Sequence, residues 1–313
     1  MDLPRLLVMS PTIEKMVRPP ETEFDIMRFS PTGDRDAYLA ANGAGIEMVL
    51  TSGAERLDAA RLALLPDLKL IAAVAAGVSG IDLEAAAGRG IVVTNAGDLN
   101  AGDVADFAIT LMLGHIRELV VNDRYVREGR WPDARRPLGR SVAAQRIGII
   151  GLGNIGQAIA TRLAPFEAEI AWWGPRAKPD VAWTRFDTLE QLAAWSTVLI
   201  IAVRGDDSTR GLISADVIKA VGPEGLIVNI SRGLVIDEEA MISALKDGLL
   251  GAAGLDVFEH EPIDGSAWAD VPNVIMAPHV AAATRDSIDR VLAGALENLR
   301  RHVAGQTVLR RIA

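Results

Sequence analysis

The run Arg146-Ile147-Gly148-Ile149-Ile150-Gly151-Leu152-Gly153-Asn154-Ile155-Gly156 constrains this chain more than any other. An apolar stretch of strand length enters a Gly-x-Gly-x-x-Gly turn, and residues suited to a helix follow from Gln157 to Ala164. A backbone needs such a turn where it must approach a pyrophosphate. Gly151 permits the tight turn, Gly153 removes the side chain that would block a phosphate, and Gly156 lets helix and strand pack closely. The helix N-terminus at Asn154 and Ile155 then offers unpaired N–H groups and a partial positive charge to an anion. A second apolar strand from Glu169 to Trp173 supplies the setting that separates a dinucleotide site from a merely structural glycine turn.

The bulk properties narrow the rest. The 313 residues suffice for two domains, and a 50% hydrophobic content is that of a globular chain. A net charge of −9 argues against a nucleic-acid surface. No apolar run reaches the ~18 residues of a membrane span. Met1 to Ser10 lacks a basic region followed by an apolar core, so no secretory signal is expected and a cytoplasmic location is. The absence of cysteine excludes disulfides, thiolate metal sites and cysteine nucleophiles.

Two α/β units are legible. In the first hundred residues Leu6–Met9, Met48–Thr51, Leu70–Ala73 and Ile91–Thr94 read as buried parallel strands, with helices at Leu57–Leu65 and Leu83–Ala87. One long helix is expected from Ala101 to Glu128, with Val104, Phe107, Ala108, Leu111, Met112 and Leu119 at helical spacing and Asn100 as its cap. A loop follows from Gly129 to Gly139. The second unit has six apolar runs: Ile147–Ile150, Ile170–Trp173, Val198–Val203, Leu226–Ile230, Ala252–Val257 and Val274–Ala277. Helical segments intervene at Leu189–Ala194, Ala215–Ala220 and Glu238–Leu245, which suits a doubly wound sheet with its strand C-terminal ends on one rim. A last helix from Thr284 to His302 is expected to return to the first unit.

The residues after the second strand of the central unit bear on cofactor choice. An acidic residue about 20 positions past the glycine turn binds the ribose 2′-OH of NAD. Here Trp172-Trp173-Gly174-Pro175-Arg176-Ala177-Lys178 has none, and Arg176 and Lys178 follow instead. Guanidinium and ammonium groups attract a 2′-phosphate, so NADP(H) is expected over NAD(H).

Three polar features follow apolar strands on the same expected rim: Ser231-Arg232-Gly233, Asp256 to Pro262, and Pro278-His279. Reduction of a 2-oxo acid needs a cation to hold the carboxylate and polarise the carbonyl, and an acid to protonate the oxygen. Arg232 suits the first role and His279 the second, and a carboxylate beside the histidine would favour its imidazolium form. Of the four histidines, His115 and His302 read as structural or exposed, and His260, between Glu259 and Glu261, is a weaker rival to His279. No spacing suggests a metal site.

The runs Asn229 to Gly233, Gly254 to Pro262 and Ala277 to Ala281, with Val104-Ala105-Asp106 and Gly129-Arg130-Trp131-Pro132, resemble the D-isomer-specific 2-hydroxyacid dehydrogenase family over nearly the whole chain. The resemblance implies two doubly wound parallel-sheet α/β domains. The central one would be a Rossmann-type dinucleotide-binding domain (residues 99–283), inserted in a smaller substrate domain (residues 1–98 and 284–313). It also implies that Arg232 binds the substrate carboxylate and carbonyl, that Glu261 pairs with His279, and that His279 is the acid/base. Asp256 would lie near the nicotinamide carboxamide, with Val104, Gly174, Val203, Ile230 and Ala281 as further cofactor contacts. Ala76, Gly77 and Val78 would present backbone N–H groups to the substrate.

Within the family the basic loop at Arg176 resembles the glyoxylate/hydroxypyruvate and hydroxyphenylpyruvate reductases. Ser79 and Arg204-Gly205 depart from common family patterns. The expectation is NADPH-dependent reduction of a small 2-oxo acid by a homodimer, with no nucleic-acid or membrane partner. Alternatives are a dinucleotide-sensing protein of the corepressor type, or a family dehydrogenase acting on an aryl pyruvate or a non-carbonyl donor.

Overall fold

The computed structural model describes residues 3–9, 13, 19–29, 33–132, 134–136 and 138–313. The chain divides into two compact units, Met1–Asn100 with Thr284–Ala313, and Ala101–Ala283. No helix of the described residues is long and apolar enough to cross a membrane.

The first unit is built on five parallel strands: β1 (Arg5–Val8), β2 (Asp25–Arg28), β3 (Ile46–Thr51), β4 (Leu70–Ala73) and β5 (Val92–Thr94), in the order β2-β1-β3-β4-β5. Side chains of a strand alternate between its faces, so Val49 joins one apolar cluster with Leu7, Ile71 and Val93. Met48 and Leu50 join the other with Leu6, Leu70 and Ala72. The helices Arg35–Asn42, Ala59–Ala63 and Leu83–Gly88 each begin behind an aspartate, Asp34, Asp58 or Asp82, whose carboxylate accepts first-turn N–H groups. Each such cap stabilises its helix by about 1 kcal/mol. The final helix, Arg285–Val303, starts at Thr284, whose hydroxyl accepts the Ser287 N–H, and buries Ala295 and Leu299 against Leu6, Val8 and Leu70. The edge strand β2 was not expected: its Asp-Ile-Met-Arg sequence mixes charge with apolar residues, as exposed edges do.

The second unit has seven parallel strands: β6 (Arg146–Ile150), β7 (Glu169–Trp173), β8 (Thr184–Arg185), β9 (Val198–Ile201), β10 (Leu226–Asn229), β11 (Ala252–Leu255) and β12 (Val274–Met276). Their order, β12-β11-β10-β9-β6-β7-β8, reverses direction between β6 and β9. Such a switch point, outside the strand C-terminal ends, is where doubly wound sheets bind ligands. Apolar clusters cover both faces, so β9 and β10 are buried along their whole length; β9 reads as an unbroken apolar run, and β10 is apolar up to the buried Asn229. The two-residue strand β8 is too short to leave a periodic signal.

The helix expected over Ala101 to Glu128 is two helices, Ala101–Ile116 and Leu119–Arg127. Glu118 between them adopts a left-handed backbone with φ 50°. Apolar spacing runs across the break and conceals it. Leu119, taken as part of the apolar stripe, is 66% exposed, whereas Val104, Ala108, Leu111 and Met112 lie in the core. Asn100 does not cap the first helix: its Oδ1 is buried without a partner among the described residues. Of the loop expected from Gly129 to Gly139, residues 133 and 137 lie outside the described residues, and the remainder holds no helix or strand.

Candidate active site

The glycine turn follows directly from β6. Gly151 has φ +89°, a left-handed conformation that disfavours any side chain, and its N–H donates to the Trp173 carbonyl at 2.8 Å. A Cβ on Gly156 would stand 2.0 Å from the Gly151 carbonyl oxygen, so this residue closes the turn against the helix. A Cβ on Gly153 would meet nothing within 4 Å. The helix Asn154–Leu163 begins at Gly153 with no side chain capping it, and Asn154 is exposed. An open, uncapped helix N-terminus over a side-chain-free turn fits a dinucleotide pyrophosphate.

Gly174, immediately after β7, is buried, and a Cβ there would stand 3.3 Å from the Trp172 indole. Arg176 is exposed and Lys178 half-buried, and neither side chain has a partner among the described residues. No carboxylate occupies Gly174 to Lys178. The other residues given to the cofactor are mostly apolar and buried. Val104, Ile230 and Ala281 belong to one core cluster, against which Ile155 packs partly buried, and Val203 borders the opposite cluster. Val203 also abuts the turn, since a Cβ on Gly151 would lie 2.8 Å from its Cγ1.

Arg232 follows the end of β10. The Asn229 side chain, fully buried, staples this segment: its Oδ1 accepts the Ser231 N–H at 3.0 Å and its Nδ2 donates to the Arg232 carbonyl at 3.0 Å. The Ser231 hydroxyl donates to the Val203 carbonyl at 2.5 Å. The half-buried Arg232 guanidinium donates to the Ser231 carbonyl at 2.6 Å. Two glycines make room around it. A Cβ on Gly205 would lie 2.4 Å from Arg232 Cγ, and one on Gly233 would lie 1.8 Å from the Phe258 carbonyl carbon. The second contact presses the arginine segment directly against the Phe258–Glu261 segment.

Asp256 directly follows β11 and is 1% exposed. One carboxylate oxygen accepts the Val280 N–H and the other the Ala281 N–H, each at 2.8 Å. Burial pushes its carboxyl above the usual range, against the opposing pull of these two donors and of the nearby His279. Its carboxylate is thereby turned onto backbone. The clamped residues directly follow His279, which has φ 55°. Non-glycine residues visit this region rarely and are held there by their surroundings. The His279 Nδ1 stands 2.6 Å from Glu261 Oε2, and Glu261 Oε1 accepts the Phe258 N–H at 3.0 Å. The carboxylate is therefore oriented from behind, and it fixes the tautomer in which Nδ1 carries the proton and Nε2 is free.

In the first unit, the N–H groups of Ala76, Gly77 and Val78 have no hydrogen-bond acceptor among the described residues. The loop is fixed through its other atoms. Asn95 Nδ2 donates to the Ala76 carbonyl at 2.7 Å, and a Cβ on Gly53 would lie 2.4 Å from the Gly77 carbonyl oxygen. Beneath Gly53, Glu55 Oε2 accepts from the Thr51 and Ser52 hydroxyls, both at 2.5 Å. Burial raises the Glu55 carboxyl pKa, but these donors outweigh it and hold it below the usual range.

His115 is structural, its Nε2 lying 2.7 Å from the Ala253 carbonyl oxygen. Sequence reasoning missed Asn229, Gly205, Gly233 and Glu55 as supports. Only the glycines left a signal, as small residues beside a charged one.

A family model described as the NAD binding domain of D-isomer specific 2-hydroxyacid dehydrogenases matches residues 109–281. The chain is 34% identical to a 2-ketogluconate reductase of Gluconobacter oxydans over 98% of this chain and 97% of that one. It is 34% identical to a glyoxylate/hydroxypyruvate reductase of Arabidopsis thaliana over 97% of each. The crystal structure of an NADPH-dependent glyoxylate/hydroxypyruvate reductase from Sinorhizobium meliloti, in complex with NADP and malonate, superposes with a TM-score of 0.89. It is 33% identical, covering 100% of this chain and 97% of that one. With the glycine turn, the parallel sheets and these matches together, the chain belongs to the D-isomer-specific 2-hydroxyacid dehydrogenase family and is an NAD(P)-dependent oxidoreductase.

Proposed function

We propose that this enzyme reduces a small 2-oxo acid, of the glyoxylate or hydroxypyruvate kind, to the D-2-hydroxy acid, with NADPH as reductant. The observation that carries the reading is the Glu261–His279 pair at 2.6 Å, on the segments that leave β11 and β12. Arg232, on the segment leaving β10, takes the substrate carboxylate and polarises the 2-carbonyl. His279 Nε2 delivers a proton to the carbonyl oxygen, while Glu261 keeps Nδ1 protonated and balances the imidazolium. Asp256 holds residues 280 and 281 and so aims His279. The turn from Gly151 to Gly156 receives the pyrophosphate, and Arg176 and Lys178 receive a 2′-phosphate. When bound, the reduced nicotinamide supplies the hydride for the 2-carbon.

The relatives support the substrate class, since their names give 2-ketogluconate, glyoxylate and hydroxypyruvate. The test is loss of NADPH absorbance with glyoxylate, hydroxypyruvate, 2-ketogluconate and 4-hydroxyphenylpyruvate, repeated with NADH. Turnover of none of them, or a clear preference for NADH, overturns the reading.

The reading includes a homodimer. Leu119, Val120, Val121, Val126, Trp131 and Leu138 are all exposed within one short stretch, and Val120, Val121 and Leu138 line one groove with Val274 and Ile275. Apolar residues gathered in this way suit a self-complementary contact. A monomeric mass in light scattering at micromolar concentration would exclude it.

A further inference from the structure

The loop Gly174–Lys178 is held at two successive carbonyls. The Trp173 carbonyl accepts the Gly151 N–H at 2.8 Å, which ties the loop's origin to the glycine turn. The Gly174 carbonyl accepts Nη2 of Arg185 at 2.9 Å. Arg185 reaches it from the edge strand β8, where it pairs with Trp172 of β7. Its guanidinium carbon lies 5.7 Å from the centre of the Trp172 ring, and Gly174 itself packs on that ring. The connection is closed further by Trp172 Nε1, which donates to the Trp183 carbonyl at 3.2 Å, and by the Phe186 N–H, which donates to the Trp172 carbonyl at 2.9 Å. The carboxylate nearest Arg185 among the described residues is that of Asp187, at 4.0 Å, and it is 91% exposed. The guanidinium is therefore committed to the loop and the indole.

We propose that Arg185 is a positioning residue for cofactor choice: by joining the Gly174 carbonyl to the Trp172 indole it fixes the loop that presents Arg176 and Lys178 to the 2′-phosphate of NADPH. The inference rests on the NADPH reading above and adds a residue that lies outside the basic loop. A planar fork that can donate and stack at once suits this post, and an ammonium cannot do both. A loop held rigidly loses less freedom when it binds an anion, so its fixation strengthens binding of the phosphate-bearing cofactor alone.

The test compares KM and kcat for NADPH and NADH, with one 2-oxo acid, in the wild type, Arg185→Ala and Arg185→Lys. Arg185→Ala should raise KM for NADPH about tenfold, while kcat and both NADH parameters stay within about twofold. Arg185→Lys, which keeps the charge without the fork, should fall between. Affinity for 2′,5′-ADP, read from quenching of tryptophan fluorescence, should drop with the NADPH affinity, and affinity for 5′-ADP should not. If wild type prefers NADPH but both variants leave its KM unchanged, Arg185 has no such role and the cofactor reading survives. Parallel losses with NADPH and NADH in both variants would mark a merely structural residue. A wild type that prefers NADH defeats the cofactor reading and this inference together.

Discussion

Glu261 stands between the Phe258 backbone N–H, 3.0 Å from one of its carboxylate oxygens, and the His279 imidazole, 2.6 Å from the other. A carboxylate anchored on one side and paired on the other cannot swing away from the ring, so the imidazole keeps one tautomer and one free nitrogen.

The first prediction follows from that bond. In Glu261→Gln the amide is nearly isosteric and folding is preserved, but the balancing charge is gone. General acid–base assistance is worth about 10²- to 10⁴-fold, and a loss of kcat within that range is expected. Steady-state kinetics with an unaltered thermal melt checks it. Wild-type turnover in this variant would mean that the pair is only structural.

Gly205 offers a gentler probe of Arg232. A Cβ at position 205 would approach Arg232 Cγ to 2.4 Å and Cβ to 2.5 Å, so Gly205→Ala must displace the arginine side chain without changing its chemistry. Displacements near 1 Å in a reacting geometry cost up to about 10²-fold in rate. The loss should appear as a raised KM for the 2-oxo acid with a lowered kcat, and the cofactor KM should hold. Arg232→Ala should do the same more severely. A Gly205→Ala enzyme with normal substrate KM would show that Arg232 tolerates displacement or does not touch the substrate.

Asp256→Ala leaves the Val280 and Ala281 N–H groups without acceptors. Ala281 is buried and Val280 half-buried; a buried donor left unsatisfied costs about 1–3 kcal/mol, so the melting temperature should fall. Release of the left-handed His279 backbone should lower kcat at the same time. If Asp256 instead serves the nicotinamide directly, cofactor KM rises while the melt barely moves, and the two outcomes are readily separated.

His115 gives the pH dependence of stability. Burial depresses its pKa below that of a free histidine, although the bond to the Ala253 carbonyl pulls it back up. The unfolded chain therefore binds the proton more readily than the folded one. Stability from this residue is full above about pH 6.5 and is lost as pH falls through that value toward the folded pKa. One proton limits the slope to about 1.4 kcal/mol per pH unit. Chemical denaturation at pH 7.5 and 5.5 should show a smaller decline in His115→Gln than in wild type. Equal declines would mean that His115 charges in place without penalty.

The chain announced its elements through local rules and kept silent on its supports. Unbroken apolar runs gave the central strands because strands buried on both faces need apolar side chains throughout. The glycine turn could be read because only glycine meets its three steric demands, and the φ of Gly151 and the contact at Gly156 agree with that reading. The edge strands β2 and β8 escaped because half-exposed edges lack that pattern. The break at Glu118 escaped because periodicity reports which face is apolar and says nothing of a reversal in backbone hand.

The residue types at the site, Arg232, Asp256, Glu261 and His279, were fixed in the sequence by their places after apolar strands. Tertiary structure alone decided how those side chains are aimed. The Asn229 staple, the Gly205 and Gly233 contacts, the Asp256 clamp on residues 280 and 281, and the reach of Arg185 to Gly174 all join residues by short-range contact. Periodicity and propensity describe neighbours along the chain; close packing and hydrogen-bond direction, which orient a side chain to within an ångström, exist only once the strands stand side by side.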